Sequence, residues 1–255
     1  MIMNILAIVN NKGGVGKTTT AQHIGAAVAT FTDSKTLLID LDPQASLTKS
    51  LGARLQPSQP TIGSCLLDKA TISQACIKYK NSNIDLLPAS LDLLQDEESI
   101  KNRMDFPFTL KRILEKSQQP YDFVIIDCPP ALSALTKIAL TACHRYYVPL
   151  QAEYFSYEGL REFIHYANQI TMLNPQIELG GVFATRFNPR TKKKFSKELI
   201  ESVKKQLQGK FLKTYIRENI ALSEAQAQGQ HIFEYDRTAH GAQDYYNLTK
   251  EIILR

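Results

Sequence analysis

Nowhere in the 255 residues is there a run of about 18 apolar residues, so no membrane-spanning helix is expected. The chain opens on a short apolar stretch rather than on the charged-then-apolar segment of an export signal. Cysteine is scarce. Cys65, Cys76, Cys128 and Cys143 stand far apart with no C-x-x-C pair, which predicts reduced, mostly buried thiols rather than a disulfide framework. The five histidines are scattered, and none forms a metal-ligand pattern with a cysteine. Internal repeats and low-complexity tracts are also lacking. What is present is core material: 44 % apolar residues, enough to bury one sizeable core.

That material is arranged in alternation. Ile5–Val9, Thr36–Asp40, Ile84–Leu87, Phe123–Asp127, Tyr146–Leu150 and Leu179–Ala184 read as strands. The small-residue stretch Ala21–Ala29 and the periodic segments Tyr157–Leu173 and Phe195–Leu207 read as helices. Alternation of this kind predicts a single α/β domain, a mostly parallel, doubly wound sheet with helices on both faces. Ligands of such folds sit at the carboxyl ends of the strands. The stretch Arg54–Pro60 reads as a surface connection, too short for a domain linker.

Between the first strand and the first helix stands Asn10-Asn11-Lys12-Gly13-Gly14-Val15-Gly16-Lys17-Thr18-Thr19-Thr20, a phosphate-binding loop with one departure. The pattern G-x-x-x-x-G-K-[ST] asks for glycine at position 11, where Asn11 stands, and a second lysine, Lys12, precedes Lys17. Glycines let backbone N–H groups turn toward a polyphosphate without a Cβ in the way. Lys17 reaches the β- and γ-phosphates, Thr18 can hold Mg²⁺, and the helix that follows presents its positive end. Lys12 admits three readings: a plain surface lysine, a contact to its own nucleotide, or a contact to a neighbouring subunit's nucleotide. Spacing does not choose among them.

Carboxylates at strand ends carry the next chemistry. Asp127 closes the apolar run Phe123–Ile126 shortly before Pro129 and Pro130, where a Walker B acid orients Mg²⁺ directly or through water. The bland alternative is a cap on the next turn. Asp40 and Asp42 lie two apart at the end of the preceding strand. In extended backbone they share a face, so both can point toward the phosphates, position an attacking water and support Mg²⁺.

The segment Lys12–Thr19 resembles the deviant Walker A loop of the ParA/MinD family of P-loop ATPases. Leu38–Gln44, Phe123–Pro130, Val148–Glu153 and Gly241–Tyr245 resemble segments of its ParA branch in the same order, so the resemblance covers nearly the whole chain. It implies one ATPase domain over residues 1–255 that uses ATP and Mg²⁺. It implies nucleotide contacts from Lys12, Gly13, Gly14, Val15, Gly16, Lys17, Thr18, Thr19, Glu153, Arg186 and Arg217. Metal contacts fall to Thr18, Asp40 and Asp127, and catalytic roles to Lys12, Lys17 and Asp42. In relatives the residue at Lys12 crosses a dimer interface, and the one at Asp42 activates water.

Charge supplies a separate argument. From Arg186 to Arg217 there are eleven Lys or Arg and only Glu198 and Glu201, a local charge of +9 in a chain whose total is +5. Arg190, Lys192, Lys193 and Lys194 form its densest part. A charge run is commonly just a solvated face, but this asymmetry points to a polyanion, DNA before membrane. Few aromatics interleave the cations, which favours duplex phosphates over a stacking platform for single strands. By resemblance, Arg190 maps onto a DNA-contacting arginine of chromosomal ParA proteins, and Arg186 and Arg217 onto positions flanking adenine. Ile216-Arg217-Glu218-Asn219 departs from the relatives' Ile-Pro-Arg-Asn, placing Glu218 where a second DNA-contacting arginine belongs.

Three classes compete. A DNA-partition ATPase would form an ATP-dependent sandwich homodimer on non-specific double-stranded DNA, with a ParB-like partner that stimulates hydrolysis. Such a protein would be cytoplasmic and nucleoid-associated, and no helix-turn-helix extension precedes the loop to suggest an operator-binding role. A MinD-type positioning ATPase would need a basic amphipathic C-terminal helix, whereas Tyr245–Arg255 reads as a closing core helix. An electron donor like the nitrogenase iron protein would need cysteines placed to bridge a cluster, and Cys128 beside Asp127 is not so placed. The partition reading leads.

Overall fold

The computed structural model describes residues 3–117, 119–153, 156–190 and 194–254. A seven-stranded sheet runs in the order β3-β4-β2-β5-β1-β6-β7. Its strands are β1 (Asn4–Ile8), β2 (Thr36–Asp40), β3 (Ile77–Lys78), β4 (Ile84–Leu87), β5 (Phe123–Asp127), β6 (Arg145–Gln151) and β7 (Glu178–Thr185). Only β3 pairs antiparallel, against β4. The alternation within each strand explains why both faces are covered. Ile5, Ala7, Leu37, Ile39, Val124 and Ile126 enter one apolar layer. Leu6, Ile8, Leu38 and Ile125 enter the other. Consecutive strand residues point to opposite faces, so a continuous apolar run buries both.

The helices divide between these layers. Helix α1 (Lys17–Phe31) lies against the second, and its residues Ala21–Ala29 are all buried. It can approach the sheet closely because Gly25 sits on Leu38, where a Cβ would come within 2.4 Å of a leucine methyl. The closing helix α12 (His240–Ile253) packs beside it, turning Ala242, Tyr245, Leu248 and Ile252 inward. The tail thus forms core, as its spacing predicts. On the opposite face lie α7 (Ala134–Ala142), α8 (Ser156–Ile170) and α9 (Lys194–Gln206).

The observed strands match the expected ones to within a residue at each end. The exception is β3, two residues long, which carries no readable periodicity and forms only because the chain folds back on β4. The stretch 54–60 is an irregular, mostly exposed connection. All four cysteines are free, three of them buried and Cys76 half-buried.

The sheet order fixes the site. Strand β1 lies between β5 and β6, with the earlier strands on one side and the later ones on the other. A crevice opens outside the carboxyl ends of strands where the order reverses in this way.

Candidate nucleotide site

The loop after β1 follows from local backbone chemistry. Gly14 and Gly16 adopt φ of 75° and 94°, left-handed values that residues with a Cβ adopt at a cost. Asn11 does not share that conformation, so a side chain is tolerated where the common pattern has glycine. Its amide abuts Gly159 of α8, where an added Cβ would lie 3.2 Å from it. Later strands tether the loop. Thr185 Oγ1 donates to the Val15 carbonyl at 2.9 Å, and the buried Asn10 amide donates to Pro149 O at 2.8 Å. Gly16 caps α1 without any side-chain hydrogen bond, and no acid stands in the first turn. The first N–H groups of this 15-residue helix are therefore left for an anion.

A cleft of about 480 Å³ opens over these groups. Gly13 to Thr19 form its floor, and Asp42 and Pro130 stand on its walls together with Arg186, Arg217, Glu218 and Asn219. Lys17 is 7 % exposed, and its ammonium donates to the Lys12 carbonyl at 2.8 Å. Burial lowers its pKa, while Asp127 pulls it the other way.

The carboxylates separate into different roles. Asp40 and Asp127 lie side by side across β2 and β5, both fully buried. Asp40 spends its oxygens on protein donors. Thr48 N and Oγ1 reach Oδ2 at 2.8 Å each, and Asp42 N reaches Oδ1 at 3.1 Å. In contrast, neither oxygen of Asp127 has a hydrogen-bond partner at normal distance among the described residues. Burial and the adjacent Asp40 raise its pKa well above the ordinary carboxylate value, and Thr18 and Lys17 temper the rise. A buried polar group without a partner costs about 1–3 kcal/mol, and more when charged. Such a doubly orphaned carboxylate beside a loop threonine fits a divalent cation. Magnesium is held by one or two carboxylates together with substrate phosphates, so Thr18 and Asp127 are a suitable pair. Asp42 is half-buried, accepts Gln44 N at 2.9 Å, and faces the loop across the cleft.

Arg186 and Arg217 are brought together by pairing between Thr185 and Ile216 at the end of β7. Arg186 takes a left-handed φ of 49°, an uncommon conformation for an arginine, and both residues line the cleft. Lys12 and Glu153 form an ion pair with each other, both of them substantially exposed. Neither lines the cleft.

The basic cluster is less concentrated in space than in sequence. Arg190 is exposed on a turn that follows Asn188. Lys192 and Lys193 lie outside the described residues. Lys194 is exposed at the start of α9 and sits 3.7 Å from Glu198, while Lys204 pairs with Glu201 at 2.8 Å. Both acids of the stretch thus offset lysines of the same helix.

Several residues of the cleft are not legible in the sequence as site residues, among them Ser46, Ser223 and Gln226, and Tyr245 is legible only as the end of a matching segment. The rest carry no motif and converge only through the fold.

Comparison with known proteins agrees with this geometry. The family described as AAA domain matches residues 3–179. The sporulation initiation inhibitor protein Soj of Bacillus subtilis is 37 % identical over 249 residues, covering 97 % of each chain. The chromosome-partitioning ATPase Soj of Treponema pallidum is 37 % identical over 251 residues, 98 % of this chain and 97 % of that one. Among solved structures, cobyrinic acid a,c-diamide synthase from Mycobacterium smegmatis with bound ADP and magnesium superimposes with a TM-score of 0.83. It is 32 % identical, over 98 % of this chain and 93 % of that one.

Proposed function

The chain belongs to the ParA/MinD family of P-loop ATPases, and from that premise we propose that it is a DNA-partition ATPase. Residues 1–255 act as one domain that binds ATP and Mg²⁺, closes into a sandwich homodimer and hydrolyses ATP slowly. The ATP-bound dimer holds duplex DNA without sequence preference, and a ParB-like partner stimulates turnover. The name of the similar chromosome-partitioning ATPase Soj of Treponema pallidum supports the partition role. One observation carries the ATPase chemistry: at the end of β5 the buried Asp127, near Thr18 and Lys17, has no hydrogen-bond partner at normal distance among the described residues.

In this reading the backbone N–H groups of Gly13 to Thr19 cradle the phosphates, and Lys17 leaves the Lys12 carbonyl to meet them. Magnesium, when bound, would supply neutralisation of the phosphate charge. Thr18 and Asp127 hold it, with Asp40 in the layer behind. Asp42 orients the attacking water and takes its proton. Lys12 and Glu153 face a second copy, where Lys12 exchanges its ion pair with Glu153 for the partner's phosphates. Arg190 and Lys192, Lys193 and Lys194 meet DNA phosphates. The location implied is the cytoplasm, on the nucleoid. The helix α12 does not supply the basic amphipathic face that the MinD-like alternative needs, because its apolar face is spent inside the core.

The test is dimerisation by light scattering with Mg·ATP, followed by duplex DNA binding. The parent should dimerise and then bind DNA of unrelated sequence. Lys12→Ala should keep its ATP affinity yet stay monomeric. A Lys12→Ala variant that dimerises like the parent sinks the role across the interface. Parent protein that ignores DNA but binds anionic vesicles sinks the partition reading.

A further inference from the structure

Among the described residues, Asp244 alone hydrogen-bonds the Arg217 side chain. The Arg217 backbone N donates to Asp244 Oδ2 at 2.9 Å. Its Nε reaches the two carboxylate oxygens at 3.1 and 2.9 Å, and Nη2 reaches Oδ1 at 2.6 Å. Among the described residues, the Asp244 side chain makes no hydrogen bond to anything else. Asp244 is 5 % exposed, whereas the Arg217 side chain keeps 31 %. The carboxylate is therefore buried behind the arginine, and the guanidinium plane stands at the cleft wall. Fork-to-carboxylate pairing fixes both the position and the tilt of that plane. Nη1 has no hydrogen bond among the described residues, so one edge of the fork stays available.

The neighbouring residue extends the support. Tyr245, next to Asp244 on α12, lines the same cleft, and its hydroxyl lies 3.2 Å from Thr20 Oγ1 on α1. Its ring stacks on His23, also on α1, with centroids 5.0 Å apart. Helix α12 is thus anchored to the helix that carries the phosphate loop, and through Asp244 it carries the arginine on the opposite wall.

We propose that Asp244 is a positioning residue for base recognition: it locks the Arg217 guanidinium as a flat platform on which the nucleotide base stacks. A guanidinium free to rotate loses entropy on stacking, and one held in place beforehand does not. The inference rests on the nucleotide reading above. It goes further by assigning the base end of the site to a pair that spans two segments, while the loop serves the phosphates.

The experiment separates base from phosphate by using two probes, Mg·ATP and Mg·tripolyphosphate, which lacks the base. Asp244→Asn keeps an oxygen for the Arg217 backbone N but loses the charged fork. Arg217→Lys keeps the charge and loses the plane. In both, ATP affinity should fall roughly five- to thirtyfold, the range of a desolvated cation–ring contact. Tripolyphosphate affinity should stay within about twofold. KM for ATP should rise with kcat preserved, because the base does not react. Equal weakening of both probes would show a general loss of the site, and unchanged ATP affinity would show that the base does not use the platform. Either result overturns the proposal. A parent chain that binds ATP no better than tripolyphosphate removes base recognition itself, while ATP hydrolysis by the loop still stands.

Discussion

The nucleotide cleft and the basic stretch 186–217 meet at Arg186 and Arg217, yet they are built in opposite ways. Around the cleft each group has one place and few substitutes. Asp127 is buried with no hydrogen-bond partner at normal distance among the described residues, Asp40 is occupied by Thr48 and Asp42, and Lys17 is almost wholly enclosed. On the basic surface Arg190 and Lys194 are exposed, and two lysines of α9 share their charge with neighbouring glutamates. In the first region a charge works because water is excluded, and its interactions are strong and individual. In the second, solvent and salt screen each charge, and only the sum matters. Substitutions should therefore act all-or-none in the cleft and in small increments on the surface.

The largest effect is expected at Asp42. If it activates water, Asp42→Ala should lower phosphate release about 10²–10⁴-fold while ATP still binds through the loop. Single-turnover assays with nucleotide affinity measured alongside decide this, and unchanged release would move the role to another group.

Asp127 offers a test of the same contrast through stability. Burial raises its pKa on folding. An acid raised in this way contributes full stability below its unfolded pKa of about 3.9, and the contribution is lost as pH climbs through the folded value. Thermal melts of the nucleotide-free protein should show this loss from pH 4 upward. Asp127→Asn should lessen it, leaving the share of Asp40, whose burial likewise lifts its pKa to about 6, and should melt higher than the parent at neutral pH, while Mg·ATP should no longer stabilise the variant as it does the parent. A variant with the parent's pH slope would break the contrast between the two regions.

The surface should respond by increments. Arg190→Ala should weaken binding to unrelated duplexes evenly and flatten the log–log salt slope by roughly one unit, since each neutralised phosphate contributes about −0.9. Fluorescence anisotropy at several salt concentrations measures this, and an all-or-none loss of DNA binding would place Arg190 with the cleft instead. The smallest effect belongs to Asn11. Its backbone is not left-handed, so Asn11→Gly should shift stability by only about 0.5–1 kcal/mol and leave ATP affinity intact.

Much of this was legible in the sequence because it is local. A strand reveals itself by a run of apolar residues, and the loop by glycines and lysines at fixed offsets. Hence β2, β4 and β5 were located to the residue. The part that was not legible depends on chain crossings. Spacing alone leaves Asp40 and Asp42 as an equivalent pair on one face of a strand, and only the family resemblance gives them different roles. Thr48, packed back from the short helix Ser46–Ser50, takes up the first together with Asp42 N, and leaves the second carboxylate facing the cleft. The strand β3 was missed because two residues carry no period.

By itself, then, the sequence determined a doubly wound α/β domain with a phosphate loop at its first strand, since alternation and motif spacing are properties of neighbouring residues. Tertiary structure alone decided which charges pair. Asp244 finds Arg217 across 27 positions, and Glu153 finds Lys12 across 141. Such contacts exist only once packing of the two apolar layers has set each helix and loop against the sheet, because hydrophobic burial fixes where the elements lie without regard to the charges at their ends.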